Sequence, residues 1–181
     1  MAKVSIITGS PNDYSRLNGI LNFAITALEK EKISFDIIKV HTLPAVDLIT
    51  AKFDSDAIIH ANKKVENSEG VIILTPVYKA SYSGILKTYL DLLPQKGLEN
   101  KIVLPLVLGG SFGHLLTIEY ALNPILSTLG ANHIVNGVYT IDHQIERVDK
   151  NQFSLHEEAL QRLNKGLDSF INTIKKYEVV L

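Results

Sequence analysis

The 181-residue chain contains no cysteine, has a formal net charge of only -1, and has no long uninterrupted apolar run. The absence of cysteine excludes disulfides, thiolate nucleophiles and zinc–thiolate sites. The nearly balanced charge gives no reason to expect a nucleic-acid or anionic-membrane partner. No segment is apolar over the length that a membrane-spanning helix needs, and residues 1–7 lack the pattern of a signal peptide. We therefore expect a cytoplasmic enzyme or binding domain.

Short β-branched runs alternate along the chain with segments of helical periodicity, and the length suits one domain over residues 1–181. Strands are predicted at residues 3–8, 35–40, 70–75, 101–108 and 134–141. Helices are predicted from residue 15 to about 28 and at residues 54–68, 83–93, 114–129 and 157–177, with loops at 41–51 and 142–153. This alternation predicts an α/β fold with a doubly wound, five-stranded parallel sheet in the flavodoxin-like order 2-1-3-4-5.

Three loops follow predicted strands at the edge of the sheet where such folds bind ligands. They span residues 9–18, 75–84 and 109–113. The second contains a proline, two tyrosines and a lysine, and the third contains a glycine pair that permits close backbone approach to a flat ligand. A tight turn into the next helix is the plainer interpretation of that glycine pair.

The loop at residues 9–18 leads into a predicted helix N-terminus. Its exposed backbone N–H groups and the positive end of the helix dipole suit a phosphate. Ser10 and Ser15 add hydroxyl donors, and Arg16 adds a positive charge. The alternative is an ordinary strand-to-helix turn in which Ser15 is the helix N-cap.

Patterns for several common chemistries are missing. The first loop has neither the Gly-Lys-Ser/Thr ending of a Walker motif nor the Gly-x-Gly-x-x-Gly dinucleotide pattern. The histidines show no metal-ligand spacing. Asp142 and His143 are not accompanied by a Gly-x-Ser-x-Gly elbow, so a hydrolase triad is not indicated.

Two prolines predict local irregularities. Pro105 lies inside the fourth predicted strand, where it removes a ladder hydrogen bond. Pro124 deprives the Tyr120 carbonyl of its helical partner, so we expect a kink or π-bulge near Tyr120. Tyr120 falls off the predicted apolar stripe of this helix, which comprises Leu115, Ile118, Leu122, Ile125 and Leu129.

These loops resemble those of the NAD(P)H-dependent FMN reductase family. The family's phosphate-loop pattern, Gly-Ser-x-Arg-x-x-Ser, is met by residues 9–15, with Asn12 at the arginine position. Its Pro-x-Tyr pattern with a later Leu-Lys is met by residues 76–78 and 86–87, and Gly109-Gly110 matches its third loop. Residues 75–87 and 114–124 further resemble one branch, the FMN reductase component of two-component alkanesulfonate monooxygenase systems.

The resemblance implies that NADPH or NADH transfers a hydride to FMN, and that reduced FMN leaves for a flavin-dependent monooxygenase. The implied FMN phosphate ligands are Ser10, Ser15, Arg16 and Leu17. The implied ring-binding residues are Pro76, Val77, Tyr78, Lys79, Gly109, Gly110, Ser111 and Gly113. The resemblance also implies a homo-oligomer, a dimer or a tetramer, with Tyr120 in a π-helix at the tetramer interface.

Two alternatives remain open on the sequence. One is a flavoprotein that retains FMN and reduces quinones, azo dyes or metal oxyanions. The other is a flavodoxin-type electron carrier without enzyme activity. Flavodoxins are usually strongly acidic, so the net charge of -1 argues against the carrier.

Overall fold

The computed structural model describes residues 3–178. The strands are β1 (Lys3–Thr8), β2 (Ser34–Lys39), β3 (Gly70–Tyr78), β4 (Ser81–Tyr82), β5 (Ile102–Gly109), β6 (His133–Ile134), β7 (Val138–Ile141), β8 (Ile145–Asp149) and β9 (Gln152–Leu155). The α-helices are α1 (Leu17–Lys30), α2 (Ala45–Ile49), α3 (Asp56–Glu66), α4 (Gly84–Leu90), α5 (Asn123–Thr128) and α6 (Glu157–Glu178). No helix within residues 3–178 is both long and apolar enough to cross a membrane.

The central sheet has the strand order β2-β1-β3-β5, with β6 and β7 following one another along the far side of β5. These strands are parallel, and Ile72 of β3 lies between Ile6 of β1 and Leu104 of β5. Counting β6 and β7 as one interrupted strand, the order is 2-1-3-4-5, which confirms the prediction. β4 adds a short antiparallel hairpin at the end of β3.

Two apolar layers cover the two faces of the sheet. One contains Ile72 and Leu74 of β3 and packs against helices α1 and α6. The other contains Val71 and Ile73 of the same strand and packs against helices α3, α4 and α5. Because both faces of β3 are buried, its sequence is a continuous apolar run and not an alternation of apolar and polar residues.

Pro105 lies opposite the interruption of the fifth strand, which was predicted as continuous over residues 134–141. The Val135 N–H donates to the Val103 carbonyl at 2.9 Å, so the backbone groups of residue 103 face the fifth strand. Residue 105, two positions later, faces the same neighbour but has no N–H to offer. The ladder breaks there, between β6 and β7, so the expected irregularity is confirmed and the continuous strand is wrong.

Two segments predicted as loops contain regular structure. Residues 41–51 include part of a 3₁₀ turn (Val40–Thr42) and the whole of α2. Residues 142–153 include a 3₁₀ turn (Asp142–Gln144) and most of the β8–β9 hairpin. The loop predictions are wrong because α2 is too short to show a helical period and β8 is exposed after its first residue, which removes the alternating pattern.

The helix predicted over residues 114–129 is not one helix. A 3₁₀ turn (Phe112–His114) is followed by a π-helix (Ile118–Leu122) and then by α5. The Asn123 N–H donates to the carbonyl of residue 118, five residues back. This confirms the irregularity expected from the proline at position 124, because its missing N–H leaves the usual four-residue ladder incomplete.

The π-turn also moves the apolar stripe. Tyr120 is 79% exposed, which confirms that it lies off the core face, but Leu115 is 45% exposed and does not continue the stripe as predicted. Leu126 is fully buried in its place. The extra residue in the π-turn shifts the helical phase, so the positions that face the core differ from those of a regular α-helix.

Candidate active site

The loop between β1 and α1 presents backbone donors without partners. The N–H groups of Asn12, Asp13, Ser15 and Arg16 donate to no acceptor within residues 3–178. They precede the N-terminus of α1, a helix of 14 residues whose dipole is positive at that end. Several unpaired N–H groups at such a helix end form a binding site for an anion such as phosphate.

Side chains of the same loop hold its shape. Ser10 is fully buried, and its Oγ donates to the Asn12 carbonyl at 2.8 Å. The Asn12 Oδ1 accepts from the Tyr14 N–H at 2.9 Å. The asparagine at the position where the related pattern has arginine thus serves to turn the backbone, and it adds no charge to the loop.

The Ser15 hydroxyl caps the first turn of α1, as the alternative prediction for this loop requires. Its Oγ accepts from the Leu17 N–H at 3.2 Å, and its carbonyl accepts from the Asn18 N–H at 3.0 Å. Arg16 already has helical backbone angles and makes no side-chain capping bond, so it behaves as the first helical residue. The side chain of Leu17 is fully buried beneath α1, so this residue can face a ligand only through its backbone.

Each charge beside this loop has a partner of opposite sign. Arg16 Nη1 lies 2.9 Å from Asp142 Oδ2, and Lys39 Nζ lies 2.7 Å from Asp13 Oδ1. The hydrogen bond from Lys39 holds the pKa of the Asp13 carboxyl below its ordinary value. His41 adds a second basic group, with Nε2 3.8 Å from the same carboxylate. The loop therefore attracts an anion through its N–H groups more than through an unshared cation.

The loop at residues 9–18 forms the first wall of the site, and a strained hairpin forms the second. Residues 76–78, predicted as loop, continue β3 instead, and they are followed by a two-residue turn and β4. Lys79 and Ala80 in that turn have φ values of 49° and 61°, as a type I′ turn requires. Left-handed backbone costs a non-glycine residue about 1–2 kcal/mol, so the turn geometry is held by its surroundings. Thr117 Oγ1 donates to the Ala80 carbonyl at 3.3 Å.

The side chains around the hairpin have ordinary structural roles, apart from one exposed ring. Tyr78 is 49% exposed beside the turn. Tyr82 is half-buried, and burial raises the pKa of its hydroxyl. Lys87 Nζ lies 2.6 Å from Asp91 Oδ1, which forms an ion pair at the C-terminal end of α4.

Ser83 joins the first two walls and had no predicted role. It is the N-cap of α4, and its Oγ accepts from the Leu86 N–H at 3.1 Å and donates to the Gly9 carbonyl at 2.8 Å. The Ser83 N–H donates to Thr75 Oγ1 at 2.9 Å. A serine before a helical run predicts the cap, but its partner 74 residues away in sequence is visible only in the fold.

The glycine-rich loop forms the third wall and is held by Tyr139. A Cβ on Gly109 would lie 1.8 Å from the Tyr139 hydroxyl, which donates to the Ser111 carbonyl at 2.8 Å. Burial raises the pKa of Tyr139, so the hydroxyl stays protonated as a donor. A Cβ on Gly110 would meet no protein atom, and Gly113 is exposed. Gly109 is therefore required by packing, whereas Gly110 leaves space on the ligand side.

The three walls meet at one edge of the sheet, because β1, β3 and β5 are parallel neighbours. Within residues 3–178 there is no group of three or more histidine and carboxylate side chains that could hold a metal ion. The edge offers an anion site, a rigid hairpin backbone and an open glycine wall. These features suit a flat ligand that carries a phosphate.

The fold and this edge define a flavodoxin-like protein, in which flavin mononucleotide binds at the switch point between the first and third strands. The family model for NADPH-dependent FMN reductase matches residues 2–146. The chain belongs to the NADPH-dependent FMN reductase family. The N–H groups before α1 fit the FMN phosphate, and the space beside Gly110 fits a planar ring.

Two curated relatives and one solved structure show the same kinship. The chain is 40% identical over 165 residues to an FMN reductase (NADPH) of Pseudomonas putida, covering 91% of this chain and 84% of that protein. It is 38% identical over 178 residues to an FMN reductase (NADPH) of Escherichia coli, covering 98% and 92%. The apo form of the NADH:FMN oxidoreductase EMOB superposes with a TM-score of 0.83 and 30% identity, covering 94% of this chain and 88% of that chain.

The protein is accordingly an oxidoreductase that reduces FMN with NAD(P)H. FMN supplies the hydride-accepting chemistry when bound, and the protein supplies binding, orientation and electrostatics. This division agrees with the site, whose walls consist mainly of backbone and of side chains that hold it in place.

Proposed function

We propose that the three walls bind FMN as a substrate that is reduced and then released. The backbone before α1 holds the phosphate, and the hairpin and the glycine-rich loop hold the ring. The residues assigned to this site are Ser10, Ser15, Arg16, Leu17 (through its backbone), Pro76, Val77, Tyr78, Lys79, Gly109, Gly110, Ser111 and Gly113. Support comes from the unpartnered N–H groups, the constrained turn at residues 79–80 and the open space at Gly110.

The ion pairs around the phosphate loop are the observation that supports the release of FMN. Arg16 is paired with Asp142, and Lys39 is paired with Asp13. A phosphate entering the loop gains N–H hydrogen bonds, but it must share both cations with carboxylates. We infer loose binding, as expected of an enzyme that passes reduced FMN to a separate flavin-dependent monooxygenase. The resemblance of residues 75–87 to reductases of alkanesulfonate systems favours a sulfonate-utilising partner.

We also propose that the protein is a homo-oligomer that uses the face around the π-helix. Leu115, Leu116 and Tyr120 are 45%, 59% and 79% exposed on this short segment. Neighbouring exposed apolar side chains of this kind are typical of protein–protein contacts. The segment is also tied to the hairpin wall through Thr117, so a contact there adjoins the flavin site.

The decisive experiment measures whether FMN is bound loosely and released after reduction. NAD(P)H oxidation by purified protein is measured with increasing free FMN, and equilibrium dialysis gives the FMN affinity of the oxidised and reduced states. We expect a rate that rises with added FMN, weak binding, and oxidation of reduced FMN by a flavin-dependent monooxygenase separated by a dialysis membrane.

Two results would contradict this proposal. FMN that co-purifies stoichiometrically, with activity dependent on an added quinone, would support the retained-flavin alternative. If neither NADPH nor NADH is oxidised at any FMN concentration, the reductase function itself is wrong.

A further inference from the structure

A cavity of about 400 Å³ lies between the glycine-rich loop, β7 and α6. Its wall includes Phe112 from the loop, Tyr139 from β7, and Arg162 and Lys165 from α6. Phe112 lies within the loop at residues 109–113, and Tyr139 lies against that loop. The cavity therefore adjoins the glycine-rich wall of the proposed ring site.

The wall of this cavity is positively charged. Its described lining contains Arg162 and Lys165 and no aspartate or glutamate. These two cations are three residues apart on α6, and neither is within ion-pair distance of a carboxylate in residues 3–177, whose side chains the structure describes. They contrast with Arg16 and Lys39 at the phosphate loop, which are both paired.

Arg162 is held in place by neutral groups. Its Nη2 donates to Gln144 Oε1 at 2.6 Å, while its Nε is buried with no partner within the described residues. The Gln144 amide in turn donates to Glu158 Oε2 at 3.3 Å. The guanidinium therefore retains hydrogen-bonding capacity for an anion that enters the cavity.

The aromatic ring of Phe112 lies beside the two cations. Phe112 is 54% exposed, and the Arg162 guanidinium carbon lies 5.8 Å from its ring centre. The Phe112 ring also stacks with Tyr139, with 6.4 Å between the ring centres. A partly exposed ring fixed in this way offers a surface for a purine base.

We propose that this cavity binds the adenosine 2′-phosphate end of NADPH, with Arg162 and Lys165 on the 2′-phosphate and Phe112 against the adenine. The inference rests on the proposed function, because it places the hydride donor beside the flavin. Arginine is the residue that accommodates the 2′-phosphate in related nucleotide-binding folds. NADH lacks this phosphate, so the two unpaired cations select NADPH.

Binding of nucleotide fragments tests the cavity without enzyme turnover. Titration calorimetry compares adenosine 2′,5′-bisphosphate with 5′-AMP on the wild type, Lys165→Ala and Arg162→Gln. Lys165 is exposed, so its removal leaves packing intact, and Lys176→Ala removes another exposed lysine of α6 as the matched control. We expect the wild type to prefer the bisphosphate, and each cavity variant to bind it about tenfold more weakly, the value of one charge-assisted hydrogen bond.

The kinetic counterpart is the ratio of kcat/KM for NADPH to that for NADH. Lys165→Ala lowers this ratio about tenfold by raising the KM for NADPH, and Lys165→Glu lowers it further. The control Lys176→Ala leaves the ratio unchanged. Equal affinity of the wild type for the two fragments, or equal effects of the cavity variants on both nucleotides, overturns the inference. A wild type that prefers the bisphosphate but oxidises neither nucleotide supports the cavity and refutes the reductase function.

Discussion

The cavity beside the amino ends of β3 and β5, about 440 Å³, is larger than the cavity of about 400 Å³ near the glycine-rich loop. Its buried cation, Lys101, makes two hydrogen bonds. Lys101 Nζ donates to the carbonyls of Glu66 and Ser68 at 3.0 and 2.7 Å, and burial lowers the pKa of this lysine. Lys96 on the same rim is paired with Glu99 at 3.0 Å.

The carboxyl edge of the sheet, where the candidate active site lies, differs from the amino edge in its backbone. The loop at residues 12–16 keeps N–H groups without acceptors among the described residues, and the hairpin carries two consecutive residues with positive φ, Lys79 and Ala80. Other non-glycine residues with positive φ, such as Lys32 and Asn100, occur singly. Unpartnered donors and constrained backbone, rather than cavity volume, therefore distinguish the candidate active site.

The largest predicted effect is a difference in stability between alanine substitutions at the two neighbouring glycines of the carboxyl edge. Gly109→Ala places a Cβ 1.8 Å from the Tyr139 hydroxyl, so we expect it to lower the free energy of unfolding by about 3 kcal/mol. The matched variant Gly110→Ala meets no protein atom and keeps its stability, but it weakens FMN binding. Urea unfolding and FMN titration measure the pair. Equal stability of the two variants would contradict the assignment of Gly109 to packing.

The next prediction compares buried serines at the two edges. Ser83→Ala removes the helix cap and the bond to the Gly9 carbonyl, so we expect a loss of about 2 kcal/mol and several-fold weaker FMN binding. Ser68, at the amino edge, donates only to the Val65 carbonyl at 2.7 Å. Ser68→Ala should lower stability without changing FMN affinity. If both variants weaken FMN binding equally, the contrast between the edges is not functional.

Tyr89 tests whether an unpartnered buried group alone marks a site. Its hydroxyl lies in the core with no partner among the described residues, so Tyr89→Phe should raise stability by about 1 kcal/mol at pH 7. Burial raises the folded-state pKa of Tyr89 above the usual value of 10.0. Above pH 10 the hydroxyl ionises in the unfolded chain while it stays neutral in the core, so the wild type loses stability as the pH rises from about 10 towards the folded-state pKa.

The phenylalanine variant should accordingly lose less stability above pH 10 than the wild type does. Denaturant unfolding at pH 7 and at alkaline pH measures both effects, with unchanged FMN affinity as the control. A variant that binds FMN more weakly would give Tyr89 a role at the site.

The smallest stability effect is expected at Tyr120. This side chain is 79% exposed, so Tyr120→Ala should change the free energy of unfolding by less than about 0.5 kcal/mol. It should instead alter the oligomeric state or the retention of flavin, measured by light scattering and dialysis. An unchanged oligomer with unchanged FMN affinity would remove the π-helix from the proposed interface.

Much of the secondary structure and of the strand order was predictable, because the sequence patterns that indicate them are local. β-branched runs, helical spacing and turn-forming residues lie close together in sequence, so the strand order and the three edge loops could be predicted. The π-helix followed from Pro124, four residues after Tyr120. Short or exposed elements such as α2 and β8 could not be predicted, since neither is long and buried enough to leave a period.

The contacts that hold the candidate active site together were not predictable, because they join residues that are distant in sequence. Ser83 reaches Gly9 across 74 positions, and Arg16 reaches Asp142 across 126. Tyr139 had no motif to signal that it packs on Gly109, and Arg162 lay in a helix with no apparent role. Each of these pairings depends on how the sheet brings separate loops together.

Local patterns in the sequence were enough to predict the alternation of strands and helices and the places of the three loops, since periodicity and turn chemistry act over a few residues. Short motifs in those loops were enough to indicate the likeness to FMN reductases. The folded chain was needed to show which glycine is required by packing, which cations are paired, and which N–H groups have no partner among the described residues. Those properties arise when parallel strands bring the ends of distant segments to one edge, where hydrogen bonds and charges are satisfied across the chain.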